Sequence, residues 1–255
     1  MVELKTADEL AVMREAGRIV AAALAAVRAE ARAGVTLLEL DAVAADVIRG
    51  AGATSSFLNY HPSFAPTPFP GVICASVNEV IVHGIPDGYR LRDGDLVSID
   101  CGACLDGFHG DSAITFTIGP PSSADATLMK NTEAALEAGV AAARPGGRLG
   151  DVSAAVGEVG RGAGYGIPQG FGGHGVGRRM HEDPSVPNEG RSGRGLPLRP
   201  GLVIAIEPMF MAGGRDRFVT KPDGWALCTA DGSRAAHFEH TVAVTENGPV
   251  VLTAP

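Results

Sequence analysis

Five residues of this 255-residue chain have the types and sequence contexts of metal ligands. Asp100 and Asp111 lie in the segment DCGACLDGFHGD, Glu207 follows the apolar run LVIAI, Glu239 lies in HFEHT, and His174 lies in the glycine-rich GGHGVG. A carboxylate at the end of a buried strand must be paired or bound to a metal, because an isolated buried charge is too costly. Four carboxylates in an empty pocket would raise one another's pKa values, whereas two divalent cations would balance their charges.

The donor atoms of this set are carboxylate oxygens and one imidazole, with no thiolate. Such a set suits Mn²⁺, Fe²⁺, Co²⁺ or Zn²⁺ rather than a cysteine-rich structural zinc site. Bridging carboxylates hold two ions roughly 3.5–4 Å apart and let them share a hydroxide nucleophile. The residues therefore predict metal-assisted hydrolysis.

The first two acids are positioned by a predicted β-hairpin. Asp106-Gly107 separates two runs of strand-forming residues, and this dipeptide is a strong signal for a two-residue turn. A two-residue turn places Gly102 opposite Asp111, and Asp100 then shares their face at a diagonal position, within roughly 7–8 Å. A register slip of one residue would turn one acid to the other face.

Bulk properties narrow the setting of this chemistry. The chain carries a formal net charge of −8, which argues against nucleic acid or an anionic membrane as a principal partner. Residues 1 to 30 lack the pattern of a signal peptide, and no apolar run is long enough to span a bilayer. The four cysteines form no disulfide framework, and Cys101 and Cys104, three residues apart on one strand, point to opposite faces. These features predict a cytoplasmic protein.

The order of the predicted elements favours an α+β fold. The capping boxes Thr6 to Glu9 and Thr36 to Glu39 open helices that end near Arg28 and Arg49. Further helices are expected at about 122–144 and 151–161, and strands at about 55–60, 72–76, 80–83, in the two arms of the hairpin, and at about 202–206 and 237–245.

An internal repeat is the simplest reason for this order. Shifting the chain by about 112 residues aligns 31–53 with 143–165, and both copies end in the same letters, RGAG. We expect two similar α+β halves, about 1–120 and 121–255, that fold together as a single catalytic domain over 1–255. A cleft is expected where the halves meet.

Several ordered motifs resemble the type I methionine aminopeptidases, which have the pita-bread fold. They are NEVIVHGIP (78–86), DGDLVSIDCGACLDGFHGD (93–111), GHGVGRRMHEDP (173–184), IEPM (206–209) and FEHT (238–241), and together they span most of the chain. The resemblance implies two pseudo-twofold-related α+β halves, with a central antiparallel sheet and outer helices. It favours the bacterial form, because the chain has no room for the helical insertion of the type II enzymes.

The resemblance also implies a role for each predicted ligand. Asp100 would chelate one metal, His174 and Glu207 would bind the other, and Asp111 and Glu239 would bridge the pair. The cofactor would be two divalent ions, Co²⁺, Mn²⁺, Fe²⁺ or Zn²⁺.

The implied reaction is removal of the N-terminal methionine from nascent proteins when the second residue is small. Glu207 would shuttle the proton, and His83 and His181 would contact the substrate and stabilise the tetrahedral intermediate. Candidates for the methionine pocket are Tyr60, Phe69, Cys74, Met180 and Trp225. Nascent polypeptide N-termini are the expected substrates of a monomeric enzyme, and contact with the ribosome is an expectation without a sequence signature.

Two other functions stay open at this stage. Proline-directed peptidases of the same fold share the five ligands but usually carry an extra N-terminal domain, and a non-enzymatic binding protein on this fold would have lost its metals. The G-x-G-x-x-G at Gly170, Gly172 and Gly175 superficially matches a dinucleotide fingerprint, but no strand-to-helix unit frames it. Arg178, Arg179, His237 and the proline-rich 61–71 depart from the family pattern or have no assigned role.

Overall fold

Four helices cover the outer faces of the molecule. The computed structural model describes residues 2–63 and 65–255, with helices α1 (Ala7–Glu30), α2 (Leu37–Gly50), α3 (Ser123–Ala142) and α4 (Leu149–Gly162). Both predicted capping boxes are confirmed. The hydroxyl of Thr6 accepts from the backbone N–H of Glu9, whose carboxylate in turn accepts from the N–H of Thr6, and Thr36 and Glu39 repeat the arrangement.

The strands are mostly short and predominantly buried. They are β1 (Thr54–Ser55), β2 (Ile73–Val77), β3 (Val80–Val82), β4 (Leu96–Leu105), β5 (Phe108–Thr117), β6 (Gly172–Gly175), β7 (Glu182–Pro187), β8 (Val203–Ile206), β9 (Met209–Met211), β10 (Phe218–Thr220), β11 (Leu227–Thr229), β12 (Ala235–His237), β13 (Glu239–Thr245) and β14 (Gly248–Val251).

One antiparallel sheet organises the fold. Across the described residues its strand order is β1-β4-β5-β13-β8-β6-β7, with β2 pairing β4 and β14 pairing β13. Because β5 from the first half of the chain pairs β13 from the second, the two helix pairs are joined through a continuous sheet. The α+β prediction is confirmed, whereas the division of the chain into two repeats stays a prediction.

Each pair of helices packs its apolar face on its own part of the sheet. In one core, Val20, Leu24 and Leu40 of α1 and α2 pack with residues of β2 and β4 such as Ile99. In the other, residues of α3 and α4 pack with residues of β8 and β13 such as Val242. No helix among the described residues is both long enough and apolar enough to cross a bilayer.

The predicted hairpin is confirmed in its turn and its register. Asp106 and Gly107 both have positive φ, at 49° and 79°, and Gly102 lies opposite Asp111. The predicted strand at about 55–60 is wrong beyond its first residue. The hydroxyl of Ser55 accepts from the backbone N–H groups of Phe57 and Leu58, both at 3.1 Å, so a local turn replaces the ladder.

Candidate metal centre

Neighbouring strands of the large sheet each bring one predicted ligand to the same place. Asp100 lies on β4, Asp111 on β5, Glu239 at the start of β13, Glu207 directly after β8 and His174 on β6. These five strands are consecutive in the sheet order β4-β5-β13-β8-β6. Residues more than 100 positions apart in sequence therefore converge through strand pairing alone.

Strand register sets the faces of the three acids nearest the sheet centre. Ala113 of β5 lies opposite Asp100 on one side and opposite Glu239 on the other, so these two acids flank it across the sheet. Asp111 is two residues from Ala113 and therefore shares its face. The backbone of Asp111 is held in place by Thr241, whose hydroxyl accepts from the Asp111 N–H at 2.9 Å.

His174 is oriented with its outer nitrogen toward the acids. Its Nδ1 lies 2.9 Å from the carbonyl oxygen of Gly175, which can only accept, so Nδ1 carries the proton. The other ring nitrogen, Nε2, lies 3.6 Å from Oδ2 of Asp111 and 3.7 Å from Oε1 of Glu207. A hydrogen bond that fixes the tautomer in this way is typical of histidines that bind metals.

The buried acids lack the partners that would stabilise their charges. Side-chain oxygens of Asp100, Asp111 and Glu239 are buried without a hydrogen-bond partner in the described part of the chain. Burial raises the pKa of Asp100 well above its ordinary value, and the charge of Asp111 raises it further. Burial likewise raises the pKa of Asp111 well above its ordinary value, and the charge of Glu207 adds to that shift. The pKa of Glu239 is raised by burial and by Asp111.

The pKa of Glu207 is also raised by burial. Burial raises its pKa to about 7, and His174 opposes the shift only in part. Four carboxylates beside an imidazole, three of them with buried oxygens that have no hydrogen-bond partner, are a donor set that divalent cations satisfy. The residues therefore fit a metal centre, and Asp111, His174 and Glu239 have ligand atoms close enough together to share one ion.

A cavity of about 360 Å³ opens beside these acids. Its walls include every residue predicted for the site: Tyr60, Phe69, Cys74, His83, Asp100, Asp111, His174, Met180, His181, Glu207, Trp225 and Glu239. One wall is apolar, because Phe69 and Trp225 pack edge to face with centroids 5.1 Å apart, within a cluster that also contains Cys74 and Met180. The cavity thus places an apolar pocket against a charged wall.

Two histidines line the cavity without contacting the acids as ligands would. His181 stacks on Tyr60 with ring centroids 5.1 Å apart and approaches His174 to 4.0 Å. His83 has a left-handed backbone, with φ of 59°, a conformation that costs energy in a residue other than glycine. Burial lowers the pKa of His83 to about 4, so the ring is neutral at physiological pH.

The structure adds residues to the site that sequence reasoning missed. Phe57, Phe171 and Met209 also line the cavity. Phe57 has no motif around it, whereas Phe171 lies between Gly170 and Gly172 of the G-x-G-x-x-G pattern and Met209 ends the IEPM motif, so the positions of these two offer a signal. Buried His237 also faces the acids, and Glu207, His237 and Glu239 form a second group with the spacing of metal ligands.

Arg178 and Arg179, which have no assigned role, lie outside the group of acids. Arg178 points away from the acids, pairing with Glu9 at 3.1 Å and lying 4.3 Å above the Phe108 ring. Arg179 is exposed beside His181 on the outer rim. Phe69, near the end of the proline-rich 61–71, is buried in the apolar wall.

Comparisons with known proteins agree on one family. The model of metallopeptidase family M24 matches residues 11–246. Methionine aminopeptidase 1 from Mycobacterium tuberculosis is 52% identical over 99% of this chain and 95% of that protein, and its namesake from Bacillus subtilis is 44% identical over 99% of both.

Solved structures agree at the level of the fold. The crystal structure of methionine aminopeptidase from Thermotoga maritima superposes with a TM-score of 0.95 at 39% identity, covering both chains completely. Prolidase from Pyrococcus furiosus gives a TM-score of 0.77 at 24% identity, covering 99% of this chain and 65% of that one. The second likeness concerns the fold alone, and both proteins share the predicted pita-bread fold.

Proposed function

The chain belongs to metallopeptidase family M24, among the methionine aminopeptidases, and from this premise we propose that it removes methionine from nascent proteins whose second residue is small. It is a metal-dependent aminopeptidase, and its substrates are peptides with a free N-terminus. The observation that carries the proposal is the convergence of the predicted acids and His174 on a cavity with an apolar wall.

We propose that the centre holds two divalent ions. Asp100 would bind one ion, His174 and Glu207 the other, and Asp111 and Glu239 both. Orphaned buried oxygens on three of these acids support the proposal, since bound cations would satisfy them. The chemistry that divalent ions supply at such a centre is polarisation of a carbonyl oxygen and acidification of water.

The side chains around the centre would bind, orient and transfer protons. Glu207 lies at the cavity wall beside His174, and its carboxylate would move a proton toward the leaving amine. His181 is held against Tyr60 and would donate a ring N–H to the developing oxyanion. His83 is neutral, so it would contact the substrate amide by hydrogen bonding rather than by charge.

Selectivity for methionine would come from the apolar wall. Phe69, Cys74, Met180 and Trp225 are all buried, and together with half-buried Tyr60 they offer aromatic and sulfur surface to an unbranched thioether. A second substrate residue must share the cavity of about 360 Å³ with the methionine side chain, which favours small side chains at that position. Nascent-chain substrates imply a cytoplasmic enzyme that acts near the ribosome, and we propose that it acts as a monomer.

Release of free methionine from Met-Ala-Ser tests the function. Protein stripped with a chelator should be inactive, and added Mn²⁺, Co²⁺ or Fe²⁺ should restore activity. Asp111→Asn should lower kcat/KM by more than about 100-fold, because even residues that only support metal ligands cost about 10–100-fold. Asp106→Asn is the matched control, since Asp106 lies at the exposed turn of the same hairpin and asparagine tolerates positive φ.

Two outcomes would contradict the proposal. Folded protein that releases no methionine with any of the metals, yet cleaves Ala-Pro-Ala, would identify a proline-directed peptidase. Folded protein that neither binds metal nor cleaves either peptide would identify a binding protein on this fold.

A further inference from the structure

His237 is a buried histidine that neither the family pattern nor the proposed mechanism uses. It ends β12, two residues before Glu239, and its side chain is only 2% exposed. Thr115 of β5 fixes its backbone on both sides, because the threonine hydroxyl accepts from the His237 N–H at 3.0 Å and donates to its carbonyl at 2.6 Å. The ring therefore extends from a rigid point in the sheet.

The outer nitrogen of this ring has no hydrogen-bond partner among the described residues. Nε2 of His237 is buried, and it lies 3.5 Å from Oε2 of Glu207 and 3.7 Å from Oε2 of Glu239. These distances exceed the range of about 2.7–3.2 Å for an N–H···O hydrogen bond. A buried polar nitrogen between two carboxylate oxygens, bonded to neither, is a costly arrangement unless something else satisfies all three atoms.

The surroundings of His237 repeat those of His174. Nε2 of His174 lies 3.6 and 3.7 Å from carboxylate oxygens of Asp111 and Glu207. Glu207 is shared, with Oε1 facing His174 and Oε2 facing His237. Donor atoms that bind one ion at about 2.0–2.2 Å lie about 3–4 Å from one another, so each histidine has the spacing of a ligand that shares an ion with its own neighbouring acids.

We propose that Nε2 of His237 is a sixth protein ligand of the metal centre, binding the ion that Glu207 and Glu239 hold. This inference rests on the proposed metal site and extends it, because the centre then contains two imidazoles instead of one. Imidazole donors favour Fe²⁺, Co²⁺ and Zn²⁺ over Mn²⁺. The second imidazole should therefore shift the metal preference of this enzyme away from Mn²⁺.

X-ray absorption at the cobalt edge tests the inference without an activity assay. Scattering from imidazole rings counts histidine ligands, and the fully loaded wild-type protein should give two rings per two ions. His237→Gln should remove one ring and weaken Co²⁺ binding more than Mn²⁺ binding in a competition titration. Glutamine is chosen because it can still donate a hydrogen bond to Glu207 but binds metals poorly.

His174→Gln and His83→Gln are the matched controls. The first should also remove one ring, whereas the second should leave two, because His83 belongs to neither group of described residues with the spacing of metal ligands. An unchanged ring count in His237→Gln, with one ring lost in His174→Gln, would overturn the role of His237 and leave the metal site standing. Failure of wild-type protein to bind Co²⁺ would overturn both.

A measurement on the unaltered protein guards against a variant that does not fold. In Co²⁺-loaded wild-type protein, each bound imidazole gives an exchangeable ring N–H resonance strongly shifted by the paramagnetic ion. Two such resonances are expected, one from His174 and one from His237. A single resonance would refute the second imidazole.

Discussion

Replacing Glu207 by glutamine should stabilise the metal-free protein, although it removes a proposed ligand. Burial raises the pKa of Glu207 from 4.5 to about 7, so the folded state holds this proton more tightly than the unfolded state does. Below pH 4.5 the carboxyl is protonated in both states and folding is not penalised. As pH rises from 4.5 to about 7, the unfolded state ionises first, and stability falls until the folded state ionises too.

The size of the effect follows from the two pKa values. One pKa unit corresponds to about 1.4 kcal/mol, so the interval from 4.5 to about 7 costs about 3 kcal/mol above neutral pH. Glutamine has the same shape and cannot ionise, and it should recover most of this free energy. In a chain of this length, about 3 kcal/mol corresponds to a rise in Tm of about 6–12 °C.

Calorimetry in the presence of a chelator would measure the gain. At pH 8, Glu207→Gln should melt above the wild type, and at pH 4 the two should melt together. Glu158→Gln is the matched control, because Glu158 is exposed on α4 and its replacement should change neither transition. A gain of equal size at both pH values, or no gain at pH 8, would refute the ionisation argument. Added Co²⁺ should reverse the order by stabilising only the wild type strongly.

Two further substitutions test the packing around the centre. A Cβ at Gly173 would lie 2.0 Å from the carbonyl oxygen of Ala205, so Gly173→Ala should separate β6 from β8. The substitution should lower the free energy of unfolding by at least about 2 kcal/mol, measured by urea titration. It should also weaken metal binding, measured by calorimetry. Gly162→Ala meets no atom within 4 Å and should leave both unchanged. Trp225→Ala removes the ring that packs on Phe69, so it should cost about 3–5 kcal/mol and enlarge the pocket. Its activity on Phe-Ala-Ser should rise relative to Met-Ala-Ser, and an unchanged ratio would place methionine elsewhere.

Local rules were sufficient for the hairpin and the capped helices. The Asp106-Gly107 turn determines its own backbone, and the alternation of a strand then assigns faces to Asp100 and Asp111 without knowledge of the rest of the fold. The predicted strand at about 55–60 was wrong because the Ser55 hydroxyl accepts from the backbone N–H groups of the next residues, which forms a turn and ends the strand. The short strands of 203–251 were mostly missed, since segments of three or four residues carry almost no periodic signal.

The metal centre required information that is not local. Charge balance predicted that the buried acids need cations, but their convergence depends on β5 pairing β13, a contact between residues more than 120 positions apart. His237 could not be assigned from sequence for the same reason, because Thr115 on β5 holds it in place.

The same convergence explains why the fold and the function are coupled. Each of the five strands is stabilised by its neighbours and by the apolar cores, yet their pairing forces four carboxylates into one small volume. The metal-free sheet therefore carries an electrostatic cost that rises with pH, and bound cations remove it. Metal binding should therefore contribute more to stability as pH rises and more of the acids ionise in the metal-free protein.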